Sequence, residues 1–484
     1  MRKSMGVFMG LLVILISVSA VSFAAVNKTG YEIEIDEEVL YGDKSVAEGL
    51  VLEIPVGMNF RLFWETFYTV GEQHTPQTEV WLKPMGYHEP EEGNGNRFTL
   101  EMNSGGGSTT TGNMELDVRA PYGMEIPFME VAERTASGES HTERVRYRDY
   151  REYYPFIASV VIDFQECVGE DRDSRAEQDA FLGEIKIPIP EDCYIDITIH
   201  KNEDGGVYGY DYNMIDGRLA RLGTFHVVTD DAMYYVVDAR HLAEGGREVP
   251  VEGMEDWYGI YKMKYRIVQN GDFEVVEPDL NNIGRVIPLD TDVRLLDMRT
   301  SEDGSKMLLF TAEQDVSYLN VIDFETLETV QRIELFPAAD EVVSSEVINK
   351  DGFLVWIAKN YLMASDYRMA VLTESEAGRY ELKFTGALWP EEVREELGSL
   401  HTSLREIAVD YDGEKLAIIY PQPYYYRHER QNEKGTCLFW LMVYDESGML
   451  YLGEYAASQG IGEDYGSAYC NIRDDVMMGV NWGE

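Results

Sequence analysis

Apolar and polar positions in the C-terminal part of the chain repeat one phrase three times. Residues 293–300 read as a strand, Ser301-Glu302-Asp303-Gly304-Ser305 as a tight turn, and 306–311 as a second strand carrying Met307, Leu308, Leu309 and Phe310. Residues 318–323 and 329–336 add two more, joined by Glu325-Thr326-Leu327-Glu328. The phrase returns at 342–348, Asn349-Lys350-Asp351-Gly352, 353–358, 369–373 and 380–384. A third copy runs through 404–409, Asp410-Tyr411-Asp412-Gly413, 415–420, 437–444 and 450–455, with an insertion at 421–436. Short apolar runs broken by Asp-Gly predict hairpins, because glycine reaches the left-handed backbone that tight turns require. Four strands repeated every roughly 40 to 50 residues predict propeller blades.

The two ends of the chain predict a ring. Residues 467–472 and 476–481 supply two strands of a further blade, and 31–40 with 50–56 can complete it, which leaves no open sheet edge between first and last blades. Counting backwards, 223–288 fits one blade, with 233–237 and 258–265 as central strands, and 60–218 has room for two divergent ones. The expectation is an all-β chain: a β-propeller of about seven four-stranded blades, with six to eight open, closed by N- and C-terminal strands. It is read as one domain over 26–484, with divergent blades in 26–290, regular repeats in 292–456 and a closing blade of 467–484 with 31–57. Helices are few. Residues 390–397 have Pro at the start, Glu391 and Glu392 in the first turn and Gly398 as a stop, and 126–134 is a second candidate. The polar, glycine-rich stretches within 85–120 read as surface excursions.

The phrase 301–310, followed by Leu319-Asn320-Val321-Ile322-Asp323-Phe324-Glu325-Thr326, resembles the repeats of YVTN-type and TolB-like bacterial β-propellers, over 292–456. The resemblance implies the fold and, for those families, scaffolding or binding; it implies no ligand.

Charge and composition then narrow the classes of function. With 88 Asp and Glu against 41 Lys and Arg, a formal charge of −47 excludes a general nucleic-acid binder. At 44% apolar and 12% aromatic residues the chain can bury enough surface to offset its conformational entropy. Arg2 and Lys3, an uncharged run over 5–21 and small residues at Ser22 and Ala24 read as an export signal in 1–25; the alternative is an uncleaved anchor, the one membrane contact expected. The expected location is secreted or extracytoplasmic, at the cell surface. Cys167, Cys193, Cys437 and Cys470 are possible disulfide partners in an oxidising compartment, Cys167 with Cys193 and Cys437 with Cys470 being the simplest pairing; four buried thiols are the alternative.

Catalytic signatures are absent. The sequence has no Gly-x-Ser-x-Gly nucleophile elbow, no His-Glu-x-x-His and no phosphate loop, and its eight His stand at no zinc-pair spacing. No cofactor and no metal are expected. Two segments stand out against the acidic background. Residues 141–154 interleave Arg144, Arg146, Arg148 and Arg151 with Tyr147, Tyr150, Tyr153 and Tyr154, and Tyr424-Tyr425-Tyr426-Arg427-His428-Glu429-Arg430 repeats that chemistry. Arg forks and Tyr faces hold carboxylates, sugars or peptide surfaces, whereas an alternating Arg/Tyr strand with Tyr inside needs no ligand at all. The first-to-second strand turns are short and the second-to-third connections long, at roughly 239–256, 359–368 and 421–436, with a blade connection at 389–403. Long loops on one face of a rigid scaffold are where recognition sits. The leading expectation is therefore a binding module for a protein, peptide or glycan on the long-loop face, with Tyr424, Tyr425, Tyr426, Arg427, His428, Arg430, Arg144, Arg146, Arg148 and Tyr150 as candidate contacts. The alternatives are a glycosidase- or lyase-like propeller enzyme and a cell-envelope assembly scaffold.

Overall fold

The computed structural model describes residues 15–18, 21, 34–58, 62–72, 77–82, 97–102, 107–110, 124–162, 165–168, 183–215, 221–242, 248–270, 273–279, 282–337, 342–350, 352–360, 367–375, 378–393, 407–421, 436–458 and 478–483. The fold is an all-β propeller. Its strands form seven antiparallel sheets among the described residues, most of them four-stranded. The repeated Asp-Gly turns are hairpins, and Gly304, Gly352 and Gly413 all have positive φ, at 69°, 80° and 102°. Most of 1–25 lies outside the described residues, among which no helix is long and apolar enough to cross a membrane. Contacts group the chain into two compact units, 1–91 with 341–484 and 92–340.

In the first unit, Val342–Lys350, Phe353–Asn360, Tyr367–Glu374 and Tyr380–Ala387 make one sheet in sequence order. Ala408–Tyr411, Leu416–Pro421, Thr436–Asp445 and Gly448–Ser458 make the next. The third joins the chain ends: Gly479–Trp482 pairs with Leu50–Met58, followed by Leu62–Thr69 and Gln77–Leu82. Its register sets Leu50 against Trp482 and Leu52 against Val480. The N-terminal contribution differs from the expectation. Glu34–Gly42 does not enter this sheet but adds a fifth strand to the preceding one, with Glu34 opposite Ser458 and Gly42 opposite Tyr451. Side-chain chemistry gives the reason. Leu50, Leu52 and Ile54 are wholly buried, whereas Asp36, Glu37 and Glu38 are exposed and suit an outer edge, where charge also blocks further pairing. Residues 467–472 lie outside the described residues.

Among the described residues the second unit holds four sheets. Arg97–Met102, Phe156–Ile162 and Gln165–Val168 form one, and Gly107–Thr110, Ser140–Arg146, Tyr194–Lys201 and Val207–Ile215 another, ordered with Tyr194–Lys201 between its two long neighbours. The helix Glu125–Arg134 covers part of it, burying Pro127, Phe128, Val131 and Ala132, and Phe128 meets Tyr210 edge to face at 5.0 Å. The third sheet is built on Arg221–Val228, Ala232–Leu242 and Gly259–Asn270, the fourth on Arg294–Thr300, Lys306–Glu313, Val316–Asp323 and Thr329–Pro337. Lys306–Glu313 is buried on both faces through its middle, while Thr329–Pro337 is largely exposed over its first five residues. That gradient explains why inner strands read as continuous apolar runs and outer ones alternate.

Candidate functional site

Three separate stretches of the second unit, 148–153, 183–188 and 252–257, converge on one open cleft of about 450 Å³. The first begins where the strand Ser140–Arg146 ends in a single turn at Tyr147–Asp149. Tyr147 and Tyr154 are fully buried and pin this stretch down, the Tyr147 amide donating to the Cys193 carbonyl at 3.1 Å and the Tyr154 amide to that of Ile187 at 3.0 Å. The Ile189 amide returns a bond to Glu152 at 3.0 Å. Ile185, Ile187 and Ile189 point inward, so their neighbours Glu184 and Lys186 face solvent. The third stretch is the connection between Ala232–Leu242 and Gly259–Asn270. It closes with a single turn at Met254–Asp256, anchored by buried Met254, Trp257 and Tyr258.

Arg148, Glu152, Tyr153, Lys186, Glu252, Asp256 and Trp257 carry the polar chemistry of the cleft, with Gly183, Glu184, Gly253 and Pro188 completing it. Its charges are mixed, two cations among four carboxylates. Arg148 lies 3.7 Å from Glu191. The Tyr153 hydroxyl donates to Glu152 at 3.1 Å, and that bond raises the phenol pKa. The Trp257 Nε1–H is buried with no hydrogen-bond partner among the described residues, a state that costs desolvation energy. Its carbonyl accepts from Tyr261, whose phenol is pushed up to about 12 by burial. A Cβ built at Gly183 meets nothing within 4 Å, so that wall is open. Among the described residues no group of three or more His, Cys, Asp or Glu is placed to hold a metal ion. Such a surface can grip a ligand that is both donor and acceptor, with an indole and a phenol beside the charges.

Of the residues singled out in the sequence, Arg148 and Tyr153 reach the cleft and others do not. Arg144 grips Asp196 with two bonds of 2.7 and 2.8 Å, which hold that carboxyl below its usual range. Arg146 donates to the Glu191 carbonyl at 2.8 Å, and Tyr150 to the Glu130 carboxylate at 2.9 Å. Tyr424, Tyr425, Tyr426, Arg427, His428 and Arg430 lie outside the described residues. Cys193 is buried, its sulfur 3.8 Å from the Tyr154 hydroxyl; the side chains of Cys167, Cys437 and Cys470 are outside the described residues. Lys186, Asp256 and Trp257 escaped sequence reasoning. The available signal was Met254-Glu255-Asp256-Trp257, aromatic and acidic, at the end of a long second-to-third connection.

No family model and no curated protein matches the sequence. Solved structures with similarity include a putative 6-phosphogluconolactonase from Bacteroides fragilis, at 9% identity over 87% of this chain and 98% of the other, with a TM-score of 0.29. A TolB from Acinetobacter baumannii aligns at 11% identity over 90% of this chain and 84% of the other, TM-score 0.24. A second putative 6-phosphogluconolactonase, from Bacteroides uniformis, aligns at 10% identity over 57% and 88%, TM-score 0.25. At such scores ligand and activity rest on this chain's own residues.

Proposed function

We propose that the protein is an exported, acidic propeller acting as a binding module for a protein, peptide or glycan, and that the cleft between Arg148 and Trp257 receives a polar segment of that ligand. One observation carries the reading. The Arg/Tyr stretch 141–154 and the long connection 239–256 stand out in the sequence for different reasons, and they wall the same cleft. Export rests on the cationic start and apolar run of 1–25. The two cations, four carboxylates and phenol that line the cleft favour a ligand rich in hydrogen-bonding groups over an apolar one.

The experiment is a peptide and glycan array with the chain lacking 1–25, followed by calorimetric titration of the hits. Arg148→Ala and Tyr153→Ala are expected to weaken binding, each by about 1–3 kcal/mol, roughly five- to two-hundredfold. Gly183→Leu fills the open wall and is expected to block it with an unchanged melting temperature. A ligand bound equally by parent and all three variants places recognition elsewhere.

A further inference from the structure

The exposed face of the sheet containing Ser140–Arg146 carries a cross-strand ladder. Ser140, Thr142 and Arg144 stand opposite His200, Thr198 and Asp196. Thr142 and Thr198 share a hydroxyl hydrogen bond of 2.8 Å, and Arg144 pairs with Asp196. The upper rung is different, because it extends to a third strand. Ser140 Oγ lies 2.7 Å from His200 Nδ1, and His200 Nε2 lies 2.7 Å from Asp211 Oδ2.

Those partners assign the proton. An ionised carboxylate only accepts, so the neutral imidazole carries its hydrogen on Nε2 and donates it to Asp211. Nδ1 is then a lone pair, and the Ser140 hydroxyl donates to it. A serine hydroxyl on a basic ring nitrogen, with a carboxylate holding the opposite nitrogen, is the arrangement that generates an alkoxide-like nucleophile. Ser140 is exposed, so a reagent can reach it, while His200 is about three-quarters covered, with a side-chain exposure of 24%. The Tyr208 ring, 5.9 Å from the imidazole, flanks it.

We propose that Ser140 is a nucleophilic serine, with His200 as its base and Asp211 as the positioning residue that selects the imidazole tautomer. Its substrates are small activated esters. The one side-chain hydrogen bond of Ser140 Oγ among the described residues is to His200, and the set Ser140, His200 and Asp211 includes no group for a developing oxyanion, so the esters it would attack are those with good leaving groups. In the step, Ser140 Oγ bonds to the acyl carbon, the bond to the leaving oxygen breaks, the leaving group departs as an alkoxide or phenolate, and the serine proton passes to His200 Nδ1. The site is distinct from the cleft and independent of its ligand.

The probe is an alkyl fluorophosphonate incubated with the chain lacking 1–25, read by intact mass and peptide mapping. Here the Ser140 Oγ–P bond forms, P–F breaks, fluoride leaves and the proton again goes to His200. One adduct at Ser140 is expected. Ser140→Ala abolishes it, and His200→Gln slows it by about 10²–10⁴-fold. Asp211→Asn slows it because an amide no longer selects the Nε2–H tautomer, and Asp211→Glu restores part of the rate, which a merely structural role would not do. All variants are checked for an unchanged melting temperature. Failure to label Ser140, labelling spread over many hydroxyls, or a parent-like rate in folded His200→Gln overturns the proposal.

Discussion

Both units bury apolar and aromatic cores, but the second adds to its core a buried ion pair. Around the sheet of 408–458, Trp389, Tyr420 and Trp440 pack as rings, with centroids 5.4 Å apart for Trp389 and Trp440 and 5.9 Å for Trp389 and Tyr420. Around the strand Ala232–Leu242 the apolar packing is joined by a buried ion pair: Arg240 Nε donates to Asp238 Oδ1 at 2.7 Å, with side-chain exposures of 8% and 6%. Arg240 also donates to the carbonyls of Thr291 and Val293 at 3.2 and 2.9 Å, and Asp238 accepts the Leu295 amide at 3.3 Å. Burial pushes the Asp238 carboxyl up from its usual range against the pull of Arg240. Such a pair adds little net stability over well-packed apolar groups, since desolvation consumes most of its attraction. Its use here is directional. Four bonds, counting that between the pair, fix the path from the strand ending at Pro288 to the one starting at Arg294, which rings of any orientation would leave loose.

The contrast breaks most visibly at Arg240. Arg240→Ala leaves Asp238 buried without its cation and is expected to cost about 3–5 kcal/mol in urea unfolding, whereas the joint change Asp238→Leu with Arg240→Met costs far less. Equal losses from the single and the joint change would show that the pair contributes attraction rather than direction. Tyr444 sharpens the other side. Its hydroxyl donates to the Leu388 carbonyl at 2.6 Å, a polar contact inside the aromatic core. Tyr444→Phe orphans that carbonyl and should cost about 1–3 kcal/mol by the same measurement. A smaller cost, under about 1.5 kcal/mol, is expected for Leu441→Met, because an apolar core tolerates swaps of similar volume. A larger loss than Tyr444→Phe would mean that this core, too, depends on fixed geometry.

The smallest effect tests charge at the surface. Asp303 accepts from the hydroxyls of Ser301 and Ser305 and the Ser305 amide, which lower its pKa from 3.8 to about 2. A depressed carboxyl contributes stability fully above its unfolded value, so the contribution is present above about pH 4 and lost as pH falls through about 2. Screening at this exposed turn limits it to a few tenths of a kcal/mol. Comparing parent and Ser305→Ala melting temperatures at pH 7 and pH 2.5 should show a gap that narrows in acid. A gap that widens in acid contradicts the sign.

Much of the architecture was legible because hairpins are local. Gly304, Gly352 and Gly413 each announce a turn through a backbone requirement contained in a few residues, and the apolar runs beside them announce buried strands. The terminal pairing was partly legible: residues 50–56 were placed correctly beside the C-terminal strand, but the acidic strand Glu34–Gly42 was assigned to the wrong sheet, because alternation shows that one face is wet without showing which edge it covers. At the cleft, Arg148 and Tyr153 carried a visible signal of composition, Trp257 only its place at the end of the long connection 239–256, and Lys186 none.

Strand content, hairpin turns and the acidic surface follow from residue pattern alone, since each is set by near neighbours in the chain, and blade periodicity follows from the recurrence of that local pattern. The tertiary structure decided which arginine would line a cleft, because the fold sets Asp196 within two short bonds of Arg144, whereas Arg148 has Glu191 at 3.7 Å and lines the cleft. It likewise decided the alignment of Ser140, His200 and Asp211. Those residues come from three strands, and only the register that opposes Ser140 to His200 and Asp211 to Thr198 brings a hydroxyl, an imidazole and a carboxylate into one hydrogen-bonded line.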